Sequence, residues 1–213
     1  MAELPLFPLP NTVVFPGMTI PLYIFEERYK RLVRFCLEQD KPRFVTTLSK
    51  PTEGLVDDEA SIFNAGTYIH IVEVNENPDG TFNLIGHGQE RCQISPSRTE
   101  EINELDGSKR PLHFTEATEA DLRRSDPNLE RVTAWDTLEV FKGYAKTFFT
   151  KDVLKQLENV IPEDLVYQAS FICANVRIPA SDRQRLLEAE SLIKRFELVQ
   201  MMMEERIKVH SPA

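Results

Sequence analysis

Histidine and cysteine are the side chains with which this chain could build a zinc site. Four of them fall within residues 70–113, at His70, His87, Cys92 and His113. A zinc site requires three or four such ligands that converge on one point. Their spacing follows no zinc pattern, and no Cys-x-x-Cys pair occurs. We therefore expect no metal site, and we interpret these histidines as structural or exposed.

Ser170 and Lys194 form the best candidate pair for covalent catalysis, in which the lysine would act as the general base. A nucleophilic serine usually sits on a strained, glycine-containing turn, whereas Ser170 lies in a predicted helix. No Gly-Lys dipeptide occurs, so the chain has no phosphate-binding P-loop. The segment Gly86-His87-Gly88 lacks the third glycine of a dinucleotide loop and indicates a bulge or a tight crossing between strands. We expect no catalytic residue and no cofactor.

Aromatic and methionine side chains are better candidates for binding a ligand. Tyr23, Phe25 and Tyr29 lie close together in the sequence, and a run of three methionines begins at Met201. Three successive helical positions span about 200°, so one apolar stripe cannot bury all three. Methionine adapts to varied partners and is common at promiscuous binding surfaces. We predict that Tyr23, Phe25, Tyr29, Met201 and Met202 bind ligand; the alternatives are an ordinary β-core and a helix end buried on two sides.

The opening stretch that would position the aromatic residues is rich in proline. Five of the fourteen prolines fall within residues 4–29. Proline in the interior of a helix removes a hydrogen bond and clashes with the preceding turn, so this stretch is predicted to be extended. Pro16-Gly17 is typical of a type II turn, between predicted strands Thr12–Phe15 and Met18–Ile24. An apolar stripe then predicts a helix over Glu26–Gln39. The stripe is formed by Phe25, Tyr29, Leu32, Val33 and Cys36.

The predicted elements that follow change from strands to helices near residue 116. Before it we predict strands at Arg43–Leu48, Gly66–Val74, Thr81–Gly86 and Gln89–Ile94, with tight turns at Asn77–Gly80 and Asp106-Gly107 and an acidic loop at 50–60. After it the sequence is helical, which indicates the α+β class with a β-rich domain over 1–116 and a helical domain over 117–213.

Four helices are predicted in the second domain. The first begins at Asp126-Pro127, and its apolar stripe is Leu129, Val132, Trp135, Leu138, Phe141, Tyr144 and Phe148. The others are Asp152–Val160, Glu163–Asn175 and a long helix over Asp182–Ile207. The pattern Ser181-x-x-Gln184 predicts a capping box at the start of the long helix.

Composition excludes several classes of partner. The 213 residues carry a net charge of −9, and residues 1–118 hold 11 basic against 18 acidic residues. Nucleic-acid binding requires clustered Lys and Arg, so we expect no nucleic-acid partner. No apolar run is long enough to span a membrane, and no signal peptide fits the N-terminus. Three distant cysteines indicate reduced thiols and a cytoplasmic protein.

Several stretches carry a resemblance that covers residues 4–207. They are PLFPLPNTVVFPGMTIPL, GTYIHIVEV, PDGTFNLIGHGQERCQI and SDRQRLLEAESLIKRFELV. In this order they resemble the Lon protease N-terminal (substrate-binding) domain family. The form IFEERY is similar to free-standing members without ATPase or peptidase domains. The resemblance implies a PUA-like β-barrel lobe with one inserted helix, followed by a C-terminal helical bundle with one long helix.

The function implied by this resemblance is non-catalytic. We expect a substrate-recognition or adaptor module that binds unfolded or tagged polypeptides in a cleft between its two lobes, with an ATP-dependent protease as a candidate partner. The residues predicted above to bind ligand would then contact peptide. Two alternatives are a PUA-like RNA-associated module, which the acidic charge disfavours, and a stand-alone hydrolase.

Overall fold

The computed structural model describes residues 3–50 and 62–210, so most of the predicted loop at 50–60 lies outside the described residues. The chain divides into two compact units, Met1–Asp121 and Leu122–Ala213. Strand β6 ends at Glu119, past the predicted boundary at residue 116. No helix in the described ranges is both long and apolar enough to cross a membrane.

Over residues 3–50 and 62–121, the first unit combines one sheet with one helix. Its elements are β1 Glu3–Leu9, β2 Thr19–Ile24, α1 Glu27–Leu37, β3 Arg43–Ser49, β4 Ile62–Glu76, β5 Phe82–Asn103 and β6 Lys109–Glu119. The strand order is β2-β5-β4-β3-β1-β6, and β5 also pairs with β6. The pairings therefore run from β5 through β4, β3, β1 and β6 back to β5. Strands β1 and β3 are parallel, whereas the other pairs are antiparallel.

The first strand lies earlier than the sequence predicted. Residues 12–15 form no strand, and the strand that precedes the Pro16-Gly17 turn is β1. β1 pairs with β6 through residues 3–5 and with β3 through residues 6–9. Pro5 pairs with β6 and Pro8 pairs with β3, so each proline has a partner strand on one side. The N–H that each proline lacks is therefore not required for hydrogen bonding on its other side.

The predicted type II turn is confirmed. The Met18 N–H donates to the Phe15 carbonyl at 3.0 Å, and Gly17 has a φ of 86° at the position where the turn requires a positive value. The two predicted strands around Gly86-His87-Gly88 are one continuous strand, β5. The expected tight crossing is there, because a Cβ on Gly88 would lie 2.5 Å from the Phe15 carbonyl oxygen.

Helix α1 packs its predicted stripe onto the sheet. Tyr29, Leu32, Val33 and Cys36 are buried in the same apolar cluster as Phe7, Phe44 and Phe114. Phe25, which the stripe also included, is 58% exposed because the helix begins only after it. The end of the IFEERY segment is therefore part of the core of the unit.

The N-terminus of α1 is capped from a distant part of the chain. The Glu104 carboxylate accepts from the backbone N–H groups of Glu27 at 2.8 Å and Arg28 at 3.2 Å. These N–H groups have no partner inside the helix, and the helix dipole favours a negative charge there. The Glu26 carboxylate in turn pairs with Arg28 at 2.9 Å and Arg110 at 3.2 Å.

Replacing Glu104 with alanine is expected to lower the free energy of unfolding by about 1 kcal/mol, the usual loss for a removed helix cap. Chemical denaturation followed by circular dichroism measures this change. Glu101→Ala is the matched control, since Glu101 is an exposed acid on β5. Equal losses in the two variants would contradict the capping role.

In the second unit the described residues form helices, together with one isolated bridge between Arg123 and Ser191. Its helices are α2 Pro127–Phe148, α3 Lys151–Asn159, α4 Leu165–Asn175, α5 Ala180–Leu187 and α6 Leu192–His210. The Asp126 side chain accepts from the N–H groups of Asn128 and Leu129, so the predicted cap of the first helix is confirmed. With strands in one unit and helices α2–α6 in the other, the α+β class is confirmed.

Helix α2 is rotated relative to its predicted stripe. Leu129, Val132 and Trp135 are 52%, 57% and 63% exposed, whereas Glu130 is 1% exposed. Glu130 is buried because its carboxylate accepts from Arg124 at 2.7 Å and from the Ser125 N–H at 2.7 Å. These hydrogen bonds hold its pKa below the usual value. The sequence prediction of the buried face was therefore wrong for the first half of the helix.

The predicted long helix over Asp182–Ile207 is two helices, α5 and α6, separated at residues 188–191. The predicted capping box is also wrong, since α5 begins at Ala180 and has no side-chain cap. The break is held by Arg195 of α6, which is 1% exposed. Its guanidinium donates to the carbonyl oxygens of Leu186 at 2.9 Å and Leu187 at 3.0 Å, at the end of α5.

Candidate functional site

The candidate metal ligands do not form a site. No group of three or more His, Cys, Asp or Glu is placed to hold a metal ion within residues 3–50 and 62–210. His70 and His87 are register partners on β4 and β5, and the His113 ring lies 3.0 Å from the Thr99 hydroxyl. Cys92 is fully buried, and desolvation raises its pKa to about 12, so the thiolate that binds metal is absent at neutral pH.

The candidate Ser–Lys pair has the wrong environment for a nucleophile and its base. Ser170 is fully buried in α4. Lys194 is exposed on α6, and its ammonium group lies 3.5 Å from the Glu197 carboxylate. A hydroxyl that is buried in this way cannot attack a polypeptide.

Tyr23 and Phe25 form an exposed aromatic pair at the end of β2. They are 57% and 58% exposed, their ring centroids lie 6.0 Å apart, and the rings are inclined by 30°. Strand alternation explains this placement, because Ile20 and Ile24 point into the core and Tyr23 therefore points outward. An exposed stacked pair offers apolar area and a hydroxyl to a ligand.

The other predicted contact residues are divided between core and surface. Tyr29 is 8% exposed, with its ring 4.2 Å from that of Phe7 and the Arg28 guanidinium 4.4 Å from its centroid. In α6, Met202 is 5% exposed, whereas Met201 is 42% exposed. Tyr29 and Met202 are therefore buried, and contact of either residue with a ligand stays a prediction. Tyr23 and Phe25 belong to the first unit and Met201 to the second; that they share one cleft stays a prediction.

A groove of about 350 Å³ opens beside Tyr23 on the first unit. Its lining residues come from three neighbouring strands and are Pro21, Leu22, Tyr23, Glu73, Asn75, Asn83, Leu84 and Ile85. We call it the β2–β5–β4 groove. The strand register explains its floor, because residues opposite one another share a face of the sheet. One row is Tyr23, Asn83 and Asn75, and the next row is Pro21, Ile85 and Glu73.

Strand β2 is an edge strand within the described residues, where β5 is its one partner. The Gly88 N–H donates to the Met18 carbonyl at 2.7 Å, so alternate residues after Met18 bond to β5. Thr19, Pro21 and Tyr23 therefore direct their backbone groups toward the open edge. Pro21 has no N–H, which weakens strand addition at this edge and favours binding through side chains.

Sequence reasoning found the aromatic pair and missed the rest of the groove. A signal was present, because the Asn77–Gly80 turn joins β4 to β5 and places Asn75 opposite Asn83. The pairing of β2 with β5 was not readable in the same way, since the two strands are far apart in sequence. Without that pairing, Glu73 and Ile85 could not be placed beside Pro21.

Comparison with known proteins places this fold in a family of recognition domains. Residues 3–205 match the sequence profile of the ATP-dependent protease La (LON) substrate-binding domain. The chain belongs to this family, whose domain recognises substrates and is not catalytic. The Lon protease of Xanthomonas oryzae pv. oryzae is 28% identical over 211 residues, which cover 97% of this chain. The Lon protease of Escherichia coli K12 is 27% identical over 210 residues, or 96% of this chain.

These two relatives are much longer proteins. The matched region covers 23% of the Xanthomonas protease and 25% of the Escherichia protease, so the chain spans about a quarter of their length. The N-terminal domain of a Mycobacterium avium complex Lon protease has a TM-score of 0.70 at 13% identity, covering 96% of this chain and 99% of that domain. A Xanthomonas campestris Lon N-terminal domain protein has a TM-score of 0.60 at 21% identity, covering 95% of this chain and 98% of that protein.

Proposed function

We propose that this chain binds exposed apolar segments of unfolded or tagged polypeptides through the β2–β5–β4 groove and the aromatic pair beside it. The observation that carries this proposal is the exposure of Tyr23 and Phe25 as a stacked pair at the rim of the groove. Folded proteins seldom leave two adjacent aromatic rings in water unless a partner covers them. Family membership supports the polypeptide as the ligand.

In this proposal the chain acts by recognition rather than by chemistry. It is a substrate-recognition or adaptor module with no catalytic residue of its own, and an ATP-dependent protease is its proposed partner. We place it in the cytoplasm, which is supported by three buried cysteines that form no disulfide. We also propose that the closed circuit of pairings from β5 back to β5 is the PUA-like β-barrel.

Replacing both Tyr23 and Phe25 with serine is expected to weaken polypeptide binding roughly tenfold, since aromatic anchors dominate binding energy at such surfaces. The probe is a reduced, carboxymethylated and fluorescently labelled protein that cannot refold, and anisotropy gives the dissociation constant. Leu105→Ser is the matched control, because Leu105 is 86% exposed on the same unit but lies outside the groove.

Met201→Ser tests the second candidate surface in the same assay. Met201 is exposed, so this change leaves the core intact, whereas Met202→Ser would also disturb packing. Unchanged binding in the Tyr23 and Phe25 double variant would refute the groove as the site. If Met201→Ser then weakened binding, the site would lie on α6 instead.

A further inference from the structure

The β2–β5–β4 groove has an acidic end. Among the described residues that line it, Glu73 is the one charged side chain, and no Lys or Arg is present. Glu73 is exposed, and one of its carboxylate oxygens accepts from the Asn75 side-chain amide at 2.8 Å. This hydrogen bond orients the carboxylate on β4. The groove thus has apolar side chains along one wall and the hydrogen-bonded carboxylate of Glu73 at one end.

The register sets the distance between the apolar wall and the charge. Pro21, Ile85 and Glu73 occupy one row across three strands. Neighbouring strands lie about 4.8 Å apart, so the ends of this row are separated by about 10 Å. An extended peptide advances about 3.3 Å per residue, so about three residues of ligand cover the row. When an apolar side chain of the ligand packs against Pro21 and Tyr23, a ligand residue about three positions away therefore lies next to Glu73.

We propose that the groove selects extended polypeptide segments in which a Lys or Arg lies within about three residues of an apolar side chain. Glu73 is the specificity-determining residue for that cation. The inference rests on the proposed function of the groove and goes beyond it by defining the class of segment that is bound. Opposite charge at the groove favours such segments, whereas a segment with Asp or Glu at the same position places two carboxylates together.

Three labelled peptides test the selection. They share one apolar Leu-Phe core and differ in the residue just beyond it, which is Lys, Gln or Glu. The wild-type chain is expected to bind the Lys peptide roughly fivefold more tightly than the Glu peptide, with the Gln peptide between them, as for a solvent-exposed charge pair. Glu73→Gln is expected to remove most of this ratio, and Glu73→Lys is expected to invert it.

Glu101→Gln separates a local effect from the negative charge of the whole chain. It removes the same charge from an exposed position of β5 outside the groove, and it should preserve the fivefold ratio. Equal affinities for the three peptides on the wild-type chain would overturn the proposal. Equal loss of the ratio in Glu73→Gln and Glu101→Gln would also overturn it, because the preference would then come from net charge.

Failure of the proposed function gives a different result. In that case no peptide binds saturably, or binding survives the Tyr23→Ser and Phe25→Ser double substitution. If only the present inference fails, all three peptides bind with similar affinity and the double substitution still weakens each of them. Thermal unfolding of each variant verifies that these surface changes leave the fold intact.

Discussion

Replacing Arg195 with methionine is expected to lower the free energy of unfolding of the helical unit by about 3 kcal/mol. Methionine keeps much of the apolar stem of the side chain but removes the guanidinium that donates to the Leu186 and Leu187 carbonyl oxygens. Both carbonyls belong to the last turn of α5, where the regular helical hydrogen-bond pattern ends. The Leu186 carbonyl also accepts from the Ala189 N–H, at the longer distance of 3.4 Å. Since Arg195 is 1% exposed, water cannot replace the lost donor.

Chemical denaturation followed by circular dichroism measures the effect, and two further variants define its cause. Arg185→Met removes an exposed arginine of α5 that pairs with Asp182 at 3.2 Å, and should cost less than about 1 kcal/mol. Arg195→Lys retains the charge but cannot present the guanidinium fork to two carbonyls, so its loss should approach that of methionine. If Arg195→Met were no more harmful than Arg185→Met, Arg195 would not hold the break between α5 and α6.

The same arginine explains why the sequence predicted one long helix where two exist. Residues 188–191 contain neither glycine nor proline, so no residue there forces the helix to end. The local signal that is present is Ser191, whose hydroxyl accepts from the Lys194 N–H at 3.2 Å at the start of α6. The end of α5 is fixed by two hydrogen bonds from Arg195, a side chain that lies outside the helix in sequence. Local pattern reasoning counts an arginine as a surface residue, because charged side chains are seldom fully buried.

Helix α2 shows the limit of apolar periodicity in another way. Leu129, Val132 and Trp135 fit a stripe, yet the helix buries the face that carries Glu130, Ala134 and Phe141. Both faces are apolar in part, so periodicity alone could not choose between them. The choice depends on Arg124, which neutralises Glu130 on the buried side. Prediction succeeded for β2 and α1, where one face is clearly apolar. Helix α1 also buries Arg28 and Lys30, but these pair with the neighbouring Glu26 and Glu27 and leave the apolar face in place.

The part of the candidate site that could be predicted is the part set by the alternation of inward and outward side chains along one strand. Tyr23 points outward because its neighbours in β2 point inward, and this was readable from the sequence. Tyr29 was assigned both to the buried stripe of α1 and to the binding surface, and the helix stripe decided its position. Glu73 required the pairing of β2 with β5, which depends on contacts between distant segments.

Gly88→Ala is expected to destabilise the first unit by about 3 kcal/mol, at the upper end of the usual cost of overpacking. A Cβ at this position would lie 2.5 Å from the Phe15 carbonyl oxygen and 3.1 Å from a methyl group of Val14. The nearest atom is backbone and cannot rotate away. The Gly88 carbonyl and N–H also bond to Gly17 at 2.8 Å and Met18 at 2.7 Å, so the two segments cannot separate without losing both bonds.

Gly143→Ala is the matched control and should have the opposite sign. Gly143 lies inside α2, and a Cβ there would have no neighbour within 4 Å. Alanine is expected to stabilise this helix by about 0.5–1 kcal/mol, because it restricts the unfolded chain and favours helix. Denaturant unfolding of the two variants therefore measures the effect of the same change, hydrogen to methyl, at two sites. Gly88 lies where two segments cross closely, whereas Gly143 lies in a helix with open space around it.

The Gly88 result also bears on the groove. Gly88 joins the turn at Gly17 to β5, and β2 begins just after that turn and runs along β5 to Tyr23. A methyl group at the crossing should displace the start of β2, so polypeptide binding by Gly88→Ala should weaken even where the variant remains folded. Wild-type affinity in Gly88→Ala, together with wild-type stability, would show that the crossing is not what holds β2 against β5.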